Sequence, residues 1–174
     1  EDPDGDGVPN SVDTDDDNDG VADVDDAFPL DASETSDLDG DSTGDNSDAD
    51  IDGDGTANDQ DAFPRNASES VDTDEDGLGN NVDTDDDNDG VSDADEATNG
   101  TDPLKRDTDG DGHLDKGDAF PLDNTEWVDT DGDGTGNNAD TDDDNDGLSD
   151  TEETDTTGTK PLVADTDGDG LSDG

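Results

Sequence analysis

Three aspartates at alternate positions, running into a turn residue, recur ten times along this chain, as in Asp15-Asp16-Asp17-Asn18-Asp19-Gly20 and Asp107-Thr108-Asp109-Gly110-Asp111-Gly112. The runs begin at Asp2, Asp15, Asp37, Asp50, Asp72, Asp85, Asp107, Asp129, Asp142 and Asp165, so successive starts lie 13, 22, 13, 22, 13, 22, 22, 13 and 23 residues apart. Composition alone does not produce such a register. Whatever the chain folds into must place thirty regularly spaced carboxylates without letting them drive it apart.

Little else in the sequence could hold it together. The formal charge is -56 on 174 residues and apolar residues make up 20%. Apolar burial on that scale does not offset chain entropy, and the carboxylates repel one another. A cation must therefore complete the structure. The same field repels nucleic acid and anionic membrane surfaces, and no apolar stretch is long enough to span a bilayer. Cysteine is absent, which removes disulfides and thiolate metal sites as staples. No signal peptide is visible in the residues given.

Counted from the first Asp, each run follows one template. Position 1 is the starting residue named above. Position 3 is Asp4, Asp17, Asp39, Asp52, Asp74, Asp87, Asp109, Asp131, Asp144 and Asp167. Position 5 is Asp6, Asp19, Asp41, Asp54, Asp76, Asp89, Asp111, Asp133, Asp146 and Asp169. Glycine fills position 6 in every loop except the third, which has Ser42. Position 9 is Asn10, Asp23, Asp45, Asn58, Asn80, Asp93, Asp115, Asn137, Asp150 and Asp173. Position 12 is acidic wherever the chain reaches it: Asp13, Asp26, Asp48, Asp61, Asp83, Glu96, Asp118, Asp140 and Glu153. Oxygens at 1, 3 and 5, a backbone carbonyl at 7, a group at 9 and a carboxylate at 12 make the ligand spacing of a calcium site, and glycine at 6 permits the sharp turn. These side chains are the candidate metal ligands. With no Cys and a single His, His113 at position 7, softer metals lack their donors, and magnesium's compact octahedron suits a flexible carboxylate ring less well.

The spacing argues against EF-hands. In the pairs 13 apart, one residue separates position 12 of one loop from position 1 of the next, as Thr14 does between Asp13 and Asp15, so no helix fits. The longer gaps contain Pro and turn formers and predict one short helical turn at most. Dockerin modules fail on the same ground, and the RTX nonapeptide is absent. Pairing also creates unbroken acidic ladders, Asp13 to Asp19 among them, in which a position-12 carboxylate lies beside the ion of the next loop and neighbouring sites should fill cooperatively.

The runs Asp72-Thr73-Asp74-Glu75-Asp76-Gly77-Leu78-Gly79-Asn80-Asn81-Val82-Asp83-Thr84-Asp85-Asp86-Asp87-Asn88-Asp89-Gly90 and Asp165-Thr166-Asp167-Gly168-Asp169-Gly170-Leu171-Ser172-Asp173 resemble thrombospondin type 3 repeats, over essentially the whole chain. The resemblance implies an irregular, mostly loop-built tandem repeat array wound around bound calcium ions, with little regular secondary structure and no conventional hydrophobic core. Lacking Cys and Arg-Gly-Asp, the chain is more similar to the Cys-free versions in secreted and surface proteins of bacteria and archaea. Disulfide stapling and integrin binding are not implied.

Two kinds of insert fill the longer gaps. Ala27-Phe28-Pro29-Leu30, Ala62-Phe63-Pro64-Arg65 and Ala119-Phe120-Pro121-Leu122 supply every Phe; Gly100-Thr101-Asp102-Pro103-Leu104 and Gly158-Thr159-Lys160-Pro161-Leu162 form the second kind. Each Phe is expected to plug its own repeat, joined by position-7 residues such as Val8, Leu78 and Leu171, and Trp127 to act locally. The repeat units are 1–36, 37–71, 72–106, a single loop with its insert at 107–128, 129–164, and the start of another at 165–174. Segments 71–96 and 128–153 align at an offset of 57, and the last loop breaks off past position 9, so a longer array is expected.

No nucleophile, phosphate loop or open metal site stands out, so no enzyme is predicted. The leading expectation is an extracellular or cell-surface structural protein, a calcium-stiffened rod acting as stalk, spacer or filament body with ten or more Ca²⁺. Alternatives are a calcium-bridged fibre of self-associating copies, an adhesive or docking module presenting Trp127 and the Phe inserts, and a calcium buffer or mineral nucleator.

Overall fold

The computed structural model describes residues 2–174. Among these there is no β-strand, and helix is confined to α1 (Asp93–Asn99) and α2 (Asp150–Glu152), the latter running on into a π-helical turn at Glu153–Thr157. Everything else is turn and irregular backbone, the loop-built array that the resemblance implies.

Each loop is shaped by two left-handed residues. Positions 4 and 6 both have positive φ in all ten loops, for example +62° at Asn18 and +100° at Gly20. Glycine and asparagine dominate these positions because a Cβ is disfavoured there. Only Ser42 and Glu75 adopt the conformation without being Gly or Asn. Around such turns the carboxylate oxygens of positions 1, 3 and 5 converge, within 4.8 Å of one another in loops one to five.

Contacts divide the chain into two compact units, Glu1–Asp83 and Thr84–Gly174. The first holds loops one to five and two Phe-Pro inserts. The second holds loops six to ten, the third Phe-Pro insert, both Gly-Thr inserts and all the helices. Within each unit the Phe-Pro inserts fold alike: the Ala N–H bonds to Thr35, Ser70 or Trp127, and the Phe carbonyl accepts an N–H three residues on, from Asp31, Asn66 or Asp123.

Two expectations are corrected. No hydrophobic side chain is buried among the described residues. The three Phe residues are only half-buried, and Leu78 and Leu171 are 51% and 73% exposed, so the apolar plugs do not form as a core. With so few apolar neighbours, a side chain has nothing to be buried against, and the interior is made instead of carboxylates such as Asp87, Glu96 and Glu153. Helix also exceeds one turn. α1 runs for seven residues because it starts inside loop six, at position 9, with Ser92 as its N-cap and Gly100 as its left-handed C-cap, so Pro103 lies beyond its end.

Candidate metal centres

Loop two shows how the template builds a site. Asp15 Oδ2 accepts the N–H of Gly20 at 3.2 Å, Asp17 Oδ1 that of Asp19 at 3.2 Å, Asp19 Oδ1 that of Val21 at 2.7 Å, and Asp26 Oδ1 that of Phe28 at 2.7 Å. One oxygen of each carboxylate is thus tied to the backbone. The opposite oxygens, Asp15 Oδ1, Asp17 Oδ2, Asp19 Oδ2 and Asp26 Oδ2, are buried with no hydrogen-bond partner. Carboxylate oxygens of Asp15, Asp17 and Asp19 lie within 4.8 Å of one another. An unsatisfied buried acceptor is costly, and three converging in one small volume, with the Asp26 carboxylate near enough to Asp17 to raise its proton affinity, call for a cation.

The same division recurs. Positions 3 and 5 accept from positions 5 and 7 in loop four (Asp52, Asp54), loop seven (Asp109, Asp111) and loop nine (Asp144, Asp146). Their second oxygens, along with those of Asp61, Asp87, Glu96, Asp131 and Glu153, include further buried, unpartnered atoms. Position 1, 3 and 5 oxygens also converge within 4.8 Å in loops one, three, four and five. The donors are all hard oxygens, and His113 is exposed, so this set fits calcium and leaves thiophilic metals without ligands.

Charge crowding shows in the protonation equilibria. Burial, reinforced by neighbouring aspartates, pushes the carboxyls of Asp17, Asp87, Asp109 and Asp144 above the usual range. Glu96, wholly buried beside Asp87, Asp89, Asp115 and Asp93, is raised to about 7, with burial the largest cause. Glu96 therefore keeps its proton up to about pH 7, and a divalent cation binding beside it would have to displace that proton.

Position 9 does something different from the other candidate ligands. In nine loops its side-chain oxygen accepts the N–H of position 2, as Asp23 does from Asp16 at 2.9 Å and Asn58 from Ile51 at 3.0 Å. In the same loops its own N–H bonds to the carbonyl preceding position 1. The residue closes the mouth of the loop. Loop one has Pro3 at position 2 and no N–H to offer, and there Asn10 Oδ1 is buried without a partner. Two other candidate oxygens are diverted: Asp4 Oδ2 accepts from Asn18 Nδ2 at 2.7 Å, and Asp89 Oδ2 accepts the Lys116 N–H at 3.0 Å. At the close pairs, position 12 holds the next loop in place, since Asp13, Asp48 and Asp140 each accept the N–H of the following position 1.

Sequence reasoning missed three residues. Glu34, Glu69 and Glu126, each three residues before a loop, are buried and accept the position-10 N–H of that loop, from Asn46, Asn81 and Asn138 at 2.9, 3.1 and 3.0 Å. The same Asn side chains donate back to Ser33, Ser68 and Thr125 carbonyls. The recurring Glu before loops three, five and eight, together with Gly at position 8 and Asn at position 10, was the available signal.

Residues 85–106, 142–164 and 165–174 match the family model of the bacterial TSP3 repeat. These segments are bacterial TSP3 repeats. They comprise loops six, nine and ten, the first two with their Gly-Thr inserts, and the remaining loops share their ligand template and their left-handed turns. TSP3 repeats are structural calcium-binding modules, which agrees with clusters of carboxylates placed to hold a cation. No curated protein matches the chain. No helix is long and apolar enough to cross a membrane among the described residues.

Proposed function

We propose that this TSP3 array is an extracellular structural element whose fold is completed by calcium, serving as a stiffened stalk, spacer or filament body. The observation that carries the reading is the set of buried, unpartnered oxygens on Asp15, Asp17, Asp19 and Asp26, each carboxylate being fixed by a backbone N–H through its other oxygen. Such a loop is preorganised to receive a positive charge. Calcium would supply that charge and tie positions 1, 3, 5 and 12 of each loop together. Sites of this kind in extracellular modules bind at about 10⁻⁴ to 10⁻³ M, a concentration met outside cells and not in cytosol.

The ion count should exceed ten. Ten Ca²⁺ add +20 and leave -36 of the formal -56, whereas two per loop leave -16. Asp16 and Asp143, at position 2 and outside the loop template, also carry buried unpartnered oxygens, and each is flanked by carboxylates of the preceding loop, Asp4 and Asp13 or Asp131 and Asp140. Supernumerary ions between paired loops are the natural use for them.

The adhesive reading draws less support, because the ring of Trp127 is stacked on His113 with centroids 4.9 Å apart and planes 6° from parallel. Small-angle scattering during a calcium titration tests the proposal. The expected result is collapse from an expanded coil to a compact or rod-like particle at millimolar Ca²⁺, reversed by chelator. An unchanged profile would refute it, and growth in particle mass would favour the self-associating fibre.

A further inference from the structure

The inserts and loops are joined by a contact that lies outside the ligand template. Three times, the buried Glu34, Glu69 or Glu126 reaches forward to the position-10 N–H of the next loop. Each time the position-10 Asn donates back to the carbonyl of the residue before that Glu. Position 8 is Gly44, Gly79 or Gly136, and a Cβ there would collide with the carboxylate of Glu34, Glu69 or Glu126 respectively. These three glycines, unlike those at positions 4 and 6, are not in the left-handed region. They are required for space rather than for conformation.

The clamped segment is the one that carries a metal ligand. The carbonyl at position 8 accepts the N–H groups of positions 11 and 12, forming the turn that ends in Asp48, Asp83 or Asp140. Loops six and nine fix the same stretch in another way, with Ser92 or Ser149 at position 8 capping a helical turn that brings in Glu96 or Glu153. Loops two, four and seven have Ala22, Ala57 and Leu114 there and lack both devices.

We infer that Glu34, Glu69 and Glu126 are positioning residues for calcium: each anchors the turn that presents the position-12 carboxylate, and so sets the affinity of the loop downstream of a Phe-Pro insert. The inference rests on the calcium reading above. A carboxylate is suited to this task because its charge strengthens the bond to the Asn N–H, twelve residues on within the loop. The glycine and the glutamate form one unit, so their effects on the loop must be coupled.

Hydrogen exchange on the full-length chain, followed peptide by peptide against calcium, tests this. Loop eight (129–140) reports on Glu126, and loop two (15–26), without a clamp and in the other unit, is the internal control. E126A is expected to raise the calcium midpoint of loop eight by about tenfold, the loss of one charge-assisted bond made by a buried carboxylate, and to leave loop two unmoved. E126Q keeps an acceptor for the Asn138 N–H and should stay within about threefold of the parent. G136A should impair the parent strongly but add little to E126A, where the Cβ has room. An unshifted loop eight in E126A, an E126Q defect equal to that of E126A, additive effects of G136A, or a parallel shift in loop two would each overturn the inference. If the parent chain gains no protection with calcium in either loop, the calcium reading itself fails.

Discussion

Loop six allows the ligand positions to be separated from the closing position by two single substitutions. Asp87, at position 3, is 2% exposed; its Oδ1 accepts the Asp89 N–H at 3.0 Å, and its Oδ2 is buried without a partner. Asp93, at position 9, uses Oδ1 to hold the Asp86 N–H at 3.0 Å. Asp87→Asn preserves shape and removes one unit of charge from the cation's surroundings. A unit charge about 2.4 Å from a divalent ion is worth about 3 kcal/mol even at the dielectric of water, and recovered hydration returns part of that. A net loss of about 2 kcal/mol corresponds to a calcium midpoint raised about 30-fold. Asp93→Asn keeps the acceptor that closes the loop, and Asn already stands at this position in loops one, four, five and eight. Its midpoint should move by less than about threefold, since the hydrogen bond survives the exchange. Calcium-dependent hydrogen exchange of the peptide covering 85–100 measures both. Equal shifts in the two variants, or none in Asp87→Asn, would refute the assignment of separate roles.

Three further outcomes are expected. Calcium binding at loop six should release a proton near pH 6: the raised Glu96 carboxyl is protonated in the metal-free fold up to about 7, so protonation favours that fold at low pH, the contribution disappears as pH rises through 7, and calcium must displace the proton below it. Titration calorimetry in buffers of different ionisation heat reads this, and Glu96→Gln should abolish that component. Ser42→Gly relieves a left-handed serine at φ +77° and should stabilise the calcium-loaded chain by about 1 kcal/mol, or about 2–4 °C in Tm by calorimetry; a lower Tm would contradict the strain. His113→Ala should change Trp127 emission by removing the stacked ring while leaving the calcium midpoint within about twofold, because position 7 serves through its backbone carbonyl. Loss of calcium binding would refute that role.

What could be read from the sequence was whatever the chain states by repetition. The alternating aspartates and the Gly at position 6 are local in sequence and local in space, so spacing sufficed to place Asp15, Asp17 and Asp19 around one volume. Position 9 was equally regular, but its further task of accepting an N–H from Asp16 or Ile51 leaves no mark in the sequence beyond the Asp or Asn itself. α1 was underestimated because the Pro-containing gaps were searched for helix, whereas the helix begins within the loop at Asp93, under the cap of Ser92. The Phe residues suggested small cores by their register alone; register does not supply neighbours, and too few apolar groups surround them. Glu34, Glu69 and Glu126 were hidden for a different reason. In a chain so rich in acid, three more carboxylates carry no signal until the glycine and asparagine they touch are seen beside them.

The absence of any buried hydrophobic side chain among the described residues also bears on temperature. Unfolding an ordinary domain raises the heat capacity by about 12–15 cal/mol/K per residue, chiefly because apolar surface meets water, while exposing polar surface lowers it. Here unfolding would expose mostly carboxylates and backbone, so the increment should be small. The stability curve is then broad and flat, without the pronounced maximum that draws most proteins toward cold denaturation. A structure of this kind would answer to the calcium concentration around it far more than to warming or chilling, a property that a domain held together by leucines and phenylalanines does not have.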